Sequence, residues 1–157
     1  MMCTDVQMKK ITFKNKIYEI FGRRYVIRRR TRRRVIRVRV PGPKKLLGHL
    51  SAKDFKENKK KAYELINERI AYFNQSGEYP VRKVSIKNQK TRWGSCSGKR
   101  NLSFNYKLLF MPENLRDYII IHELCHLKEM NHSKNFWNLV AEQVPNYKAL
   151  RKQIRLY

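Results

Sequence analysis

HELCHLKEMNH, residues 122–132, gathers three of the chain's four histidines into eleven positions. On a helix, His122 and His126 stand four residues apart on one face, and both imidazoles can aim a nitrogen at one ion about 2.0 to 2.1 Å away. Glu123 is turned from His122 by about 100°, within reach of a water at that ion without being a ligand. The surrounding residues favour the helix. Pro112 fits a first turn, Glu113 and Asp117 lie near the positive end of the macrodipole, and Leu115, Tyr118, Ile119, Leu124 and Leu127 recur at helical spacing.

A third ligand is needed, and His132 lies too far along an unbroken helix to meet the same ion. Asn131 tolerates the left-handed conformation that ends helices, and Ser133 before KNFWNLVAEQV reads as the cap of a fresh helix. A stop at Met130 and Asn131 therefore swings His132 back. Glu129, seven residues after His122, is a rival third ligand by helix geometry alone. Three histidines with a fourth position open to water make the layout of a catalytic zinc site. The plainer alternative is a chance motif whose histidines are hydrogen-bonded on a helix surface, and the helical context and the adjacent acid weigh against it. Cys125 turns away from the ligand face and reads as a small core residue. His49 has no partner pattern and reads as structural.

A chain of 157 residues fits one domain that buries about two thirds of its unfolded surface. The longest apolar runs, YIII at 118–121 and LLFM at 108–111, fall well short of the roughly 18 residues of a membrane helix. The N-terminal MMCTDVQMKK lacks the apolar stretch of a secretory signal, and Cys3, Cys96 and Cys125 form neither an even framework nor a CxxC pair. A cytoplasmic protein with reduced thiols is expected. The net charge of +25 is uneven, with 30 Lys and Arg against 7 Asp and Glu before Glu113, and 7 against 5 from there on. Ten arginines lie between Arg23 and Arg39, interleaved with apolar residues, and Ile36, Val38 and Val40 alternate with Arg37 and Arg39 as in a half-buried strand. Such a face attracts polyanions, nucleic acid among them, though it could equally be a solvated basic surface.

Residues 10–50 read as a basic β region of two to four antiparallel strands, broken by turn signals at KNK (14–16), FGR (21–23) and PGP (41–43). Residues 51–77 read as one amphipathic helix, capped by Ser51 with Asp54 three residues on, and stopped by Gly77. VRKVSIK (81–87) and NLSFNYKLLF (101–110) read as strands around the loop NQKTRWGSCSGKR. The expected class is α+β: a single domain with an N-terminal antiparallel β region, a long helix, a short sheet, and an HExxH helix followed by C-terminal helices.

The ligand spacing also fits the metzincin pattern, but that class has glycine where this chain has Glu129, and no methionine follows Met130 to form a Met-turn. RWGSC (92–96), NLSFNYKLLFMP (101–112), YIIIHELCHLKEMNHSKNFW (118–137) and the basic strand region upstream together resemble the YgjP-like family of metal-dependent hydrolases. That family is often labelled metallopeptidase-like and is related to the SprT and WLM zincin-like proteins. The likeness spans about residues 20–155. It implies one YgjP-like metallohydrolase domain over 1–157 with a zincin-like catalytic core over 81–157, zinc on His122, His126 and His132, and Glu123 as the catalytic acid/base.

Histidine nitrogens also suit other divalent transition metals. A metal lowers the pKa of its water toward about 7, and Glu123 is placed to take the proton as an electrophilic centre is attacked. Arg92, Trp93 and Asn105 are candidate substrate-binding residues. The strand 101–110 could pair with an extended peptide, whereas Arg92 and Lys90 would suit a phosphate or carboxylate; a packed turn is the alternative for Trp93 and Gly94. Three functions follow: a zinc peptidase, a metal-dependent nucleotide phosphoanhydride hydrolase, and a basic nucleic-acid-binding module with a structural metal.

Overall fold

The computed structural model describes residues 16–20, 23–27, 47 and 50–157. They fall into two units, Met1–Pro41 and Gly42–Tyr157, each considered by itself. In the first, β1 (Lys16–Ile20) pairs antiparallel with β2 (Arg23–Ile27), Ile20 standing opposite Arg23. The strands end and begin at the expected FGR signal, while Lys16, expected in a turn, is the first residue of β1. Arg28 to Arg39, the PGP signal, Cys3 and His49 lie outside the described residues.

In the second unit α1 (Ala52–Phe73) begins where its capping residues put it. The Ser51 hydroxyl accepts from the Asp54 N–H at 3.3 Å, and the Asp54 carboxylate accepts from the Ser51 N–H at 2.7 Å. Ala62, Ile66 and Ile70 form the buried stripe. The helix stops short of the expected Gly77 because Asn74 ends it. The Asn74 N–H donates to the Ile70 carbonyl, and its side chain exchanges two 2.8 Å bonds with the Tyr79 backbone. Gly77, at φ +69°, then turns the chain in a conformation open to glycine.

The sheet has the order β3-β5-β4, from β3 (Lys83–Lys87), β4 (Gly94–Cys96) and β5 (Asn101–Asn105), with β3 parallel and β4 antiparallel to β5. The register puts Val84, Ile86, Leu102 and Phe104 on one face with Gly94 and Cys96, and Ser85, Ser103 and Ser95 in a row on the other. Two expectations are corrected here. The segment 88–100 contains β4 rather than being loop throughout, and the strand expected over 101–110 ends at Asn105 and continues as a 3-10 helix over Tyr106–Phe110. The Asn105 side chain causes the change by accepting from the Lys107 N–H at 3.2 Å. β5 is consequently the central strand with a partner on each side, and β4 lies at the edge of the sheet among the described residues.

Three helices complete the α+β unit: α2 (Glu113–Cys125), α3 (Lys134–Gln143) and α4 (Tyr147–Ile154). In α2 a run of buried residues from Tyr118 to Cys125 is broken only by the half-buried His122, as in a helix enclosed by neighbours on nearly every side. It packs against α1, α3, α4 and β4. The α1 contact is pinned by Arg69, whose guanidinium donates to both carboxylate oxygens of Asp117 at 2.9 and 2.5 Å. No described helix is long and apolar enough to cross a membrane.

Replacing Ser51 by Ala removes the hydroxyl that accepts the Asp54 N–H. The expected loss is about 1 kcal/mol of unfolding free energy, measured by urea denaturation, with no change in the denaturant slope.

Candidate metal centre

α2 ends at Cys125, five residues before the expected stop, with His126 as its C-cap. The chain then reverses through hydrogen-bonded turns: Leu127 N–H to Leu124 carbonyl, Lys128 and Glu129 N–H to Cys125 carbonyl, and Ser133 N–H to Asn131 carbonyl. Arg100 is the one non-glycine residue with positive φ among the described residues, so Asn131 does not take the left-handed conformation expected of it. Ser133 caps α3 as expected, its hydroxyl accepting from the Phe136 N–H at 3.3 Å.

The reversal brings His132 back to the end of α2. One side-chain nitrogen from each of His122, His126 and His132 lies within 4.8 Å of the others, and the Nε2 atoms of His122 and His132 are 3.1 Å apart. Two nitrogens each about 2.0 to 2.1 Å from one ion, at a tetrahedral angle, are about 3.3 Å apart. The donor set therefore fits a divalent cation. His126 is fixed in the useful tautomer, because its Nδ1–H donates to the Glu129 carbonyl at 3.0 Å and leaves Nε2 with a free lone pair. Glu129, the rival ligand, contributes this backbone oxygen and is absent from the histidine cluster. Nδ1 of His122 is buried and has no partner among the described residues.

Phe136 of α3 holds the three rings together. It stacks on His126 at a centroid distance of 4.4 Å, and meets His122 and His132 edge-on at 4.9 and 4.8 Å. Trp137 stacks on His132 at 5.5 Å and on Tyr147 of α4 at 5.2 Å. The Arg151 guanidinium lies 4.8 Å from the Trp137 ring.

Glu123 is buried, at 6% exposure, against the backbone of β4. A Cβ on Gly94 would fall 2.6 Å from both Cγ and Oε1 of Glu123, so the carboxylate occupies space that only a glycine leaves. Burial pushes its pKa up to about 8. Burial, followed by the charges of His126, His132 and Arg151, pushes His122 down to about 3. His132 is lowered by the same order of causes, burial first, then His126 and Arg151. Cys125 is fully buried in the core, as its position implied, and burial raises its thiol to about 11.

Beside the histidines opens a cavity of about 270 Å³ lined by Arg92, Trp93, Gly94, Tyr118, Ile119, His122, Glu123, Arg151 and Ile154. Arg92 and Trp93 are thus brought to the site as expected, while Asn105 is not. Its side chain is buried behind the loop, where its NH2 donates to the Gln89 and Arg92 carbonyls at 2.7 and 3.0 Å. It braces the segment that carries Arg92 and does not face a ligand; Lys90 is likewise absent from the lining. No sequence pattern marks Phe136, Trp137, Tyr147 and Arg151 as site residues, because only the packing of α3 and α4 against α2 makes them neighbours of the histidines.

Comparison with known proteins agrees with this architecture. A family model described as YgjP-like, metallopeptidase domain, matches residues 5–157. Among solved structures, the metallopeptidase zymogen abylysin of Pyrococcus abyssi is 28% identical with a TM-score of 0.52, covering 57% of this chain and 90% of its own. The zymogen jannalysin of Methanocaldococcus jannaschii is 27% identical with a TM-score of 0.50, over 57% of this chain and 92% of its own. A UTP pyrophosphatase of Escherichia coli (strain K12) is 41% identical over 46 residues, or 29% of this chain. That match spans 28% of the enzyme's length.

Two side chains make metal-free stability depend on pH in opposite senses. The Glu123 carboxyl is raised from 4.5 to about 8, so its contribution is present below pH 4.5 and is lost as pH rises through 8. His122 is lowered from 6.5 to about 3, so its contribution is present above pH 6.5 and is lost as pH falls through 3. Urea denaturation with chelator present should therefore find Glu123→Gln more stable than the parent at pH 8, with the advantage shrinking toward pH 5.

Proposed function

The chain belongs to the YgjP-like metallopeptidase-domain family, and on that premise we propose that it hydrolyses peptide bonds at a divalent ion, zinc foremost, held by His122, His126 and His132. The observation that carries this reading is the convergence of three imidazole nitrogens within 4.8 Å at the end of α2, beside the buried Glu123. A divalent ion held there would supply Lewis acidity and draw the pKa of a water toward about 7. Glu123 takes that water's proton as its oxygen attacks the scissile carbonyl carbon, and passes the proton to the departing amine as the C–N bond breaks.

The edge position of β4 supports a peptide substrate, since its outer backbone groups can pair with an extended chain next to Glu123. This role passes to β4 from the segment 101–110, whose strand is already paired on both sides. Trp93, Ile119 and Ile154 offer an apolar wall to a substrate side chain. The likeness to two metallopeptidase zymogens points the same way. A second reading, hydrolysis of a nucleotide phosphoanhydride, is supported by the partial match to a UTP pyrophosphatase and by the position of Arg92 on the cavity wall.

Glu123→Gln should lose at least about 10²-fold in hydrolysis of unfolded protein while keeping its metal by elemental analysis. His126→Ala should lose metal and activity together. Full activity in Glu123→Gln would remove the glutamate from the mechanism, and nucleotide products without peptide fragments, read by mass spectrometry, would favour the second reading. Gly94→Ala keeps all three imidazoles but displaces the carboxylate, so turnover should fall tenfold or more, on the order of what a 1 Å misplacement costs, with metal content unchanged.

A further inference from the structure

We propose that Arg92 and Arg151 form an oxyanion-binding subsite on the cavity wall, which takes a carboxylate or phosphate that the substrate carries next to the bond being cleaved. The assignment of "next to the bond" rests on the reading of His122 and Glu123 as the reacting centre. The subsite itself rests on the two arginines.

They come from unrelated elements, Arg92 from the segment between β3 and β4 and Arg151 from α4, yet both line the cavity that contains His122 and Glu123. Neither takes part in an ion pair among the described residues. The flanking sequence supplies no competing acid either, with eight Lys and Arg and no Asp or Glu over residues 79–112, and none from Tyr147 to Tyr157. Among the described residues, Glu123 is the one acidic residue lining the cavity. Two arginines lining a common space with no carboxylate of their own are what a bidentate partner for a carboxylate or phosphate needs.

Arg151 is held in place before any ligand arrives, and Arg92 is braced at its backbone. The Arg151 guanidinium rests on the Trp137 ring, which also stacks on His132 and on Tyr147. The backbone of Arg92 is fixed through its carbonyl, which accepts from the Asn105 side chain. The ordering cost of Arg151 on binding is correspondingly reduced. Trp93, Tyr118, Ile119 and Ile154 make the rest of the wall apolar or aromatic, so the fitting ligand joins an oxyanion to an apolar or flat group. A peptide's terminal carboxylate beside its last side chain and a nucleotide phosphate beside its base share that chemistry.

The chain has two tryptophans. Trp93 lines the cavity and Trp137 carries Arg151, so intrinsic fluorescence reports on the subsite. Full-length, metal-loaded protein titrated with inorganic phosphate should give a saturable change. Arg92→Met and Arg151→Met should each weaken it by about tenfold or more, the scale of one lost charge-assisted contact, and Arg151→Lys should keep part of it. Unchanged phosphate affinity in both methionine variants would overturn the proposal. If Arg151→Met disturbs Trp137 and the fold, Arg92→Met, with no ring contact to lose among the described residues, carries the test.

A hydrolysis arm distinguishes the sources. A peptide with a free C-terminal carboxylate, its C-terminal amide and a nucleoside triphosphate are compared in parent and Arg92→Met protein. A rise in KM for the free-acid peptide but not its amide would identify a terminal carboxylate. The same rise for the triphosphate alone would identify a phosphate. Arginine-dependent phosphate binding with no hydrolysis of any substrate would leave the subsite standing and remove the hydrolytic reading. Hydrolysis indifferent to substrate charge and to both arginines would do the reverse.

Discussion

A single phenyl ring sets the geometry at the centre of this protein. Phe136 is wholly buried and lies within 4.9 Å, centroid to centroid, of the His122, His126 and His132 rings. Rotating or shortening that ring would release three imidazoles at once, because each uses the same wall. The constraint reaches back into the local sequence. Phe136 can sit there only if α3 starts at Lys134, and α3 starts there because the Ser133 hydroxyl accepts the Phe136 N–H. It can meet His126 only if α2 stops at Cys125 and the chain reverses in the six residues before Ser133. A hydrophobic contact thus fixes the distance between polar groups that would otherwise have no reason to approach.

The carboxylate is governed by the opposite device, an absence. Glu123 needs a place inside the unit, and β4 provides it by having hydrogen instead of a methyl group at Gly94. The backbone of the edge strand therefore lies against the carboxylate, and burial raises its pKa to about 8. Desolvation of that kind is tolerable where a cation is to be bound nearby, because the cation restores what water would have supplied. The apolar packing that holds the histidines and the close backbone approach that holds the glutamate come from different elements, and α2 packs against both of them, α3 and β4.

Much of this was legible in the chain because the signals were local. A capping box, a helical repeat ending in His122 and His126, and a serine before KNFW each depend on residues within four positions of one another. Errors arose where the deciding partner was distant or the pattern ambiguous. Leu102, Phe104, Tyr106 and Leu108 alternate as a strand would and all are buried, but Asn105 caps its own following turn and changes the second half into a 3-10 helix. The position of Asn105 in the sequence suggests a ligand contact, whereas its amide is spent on two carbonyls of the 89–92 loop. Asn131 tolerates the left-handed conformation, but the segment reverses without any positive φ, using the Asn131 carbonyl as acceptor for the Ser133 N–H. The aromatic support from Trp137 and Tyr147 and the charge of Arg151 had no sequence signal, since residues spread over α3 and α4 become neighbours only through tertiary packing.

The same separation between local and distant determinants bears on the choice of bond. Imidazole ligands and a nearby carboxylate can activate water against a carbonyl or a phosphoryl centre alike, so the metal end of the site does not select between them. Selection must come from the walls, and the walls come from other elements: Trp93 and Arg92 from the loop before β4, Arg151 and Ile154 from α4. A peptide backbone is neutral and would draw its register from the edge of β4, leaving two guanidiniums to find an oxyanion at its end. A nucleotide brings its oxyanions to the reacting centre itself and would leave the strand edge unused. The two substrates thus load different parts of one cavity, so substrate choice on this fold can change through its loops and last helix while the histidines, the glutamate and Phe136 stay as they are.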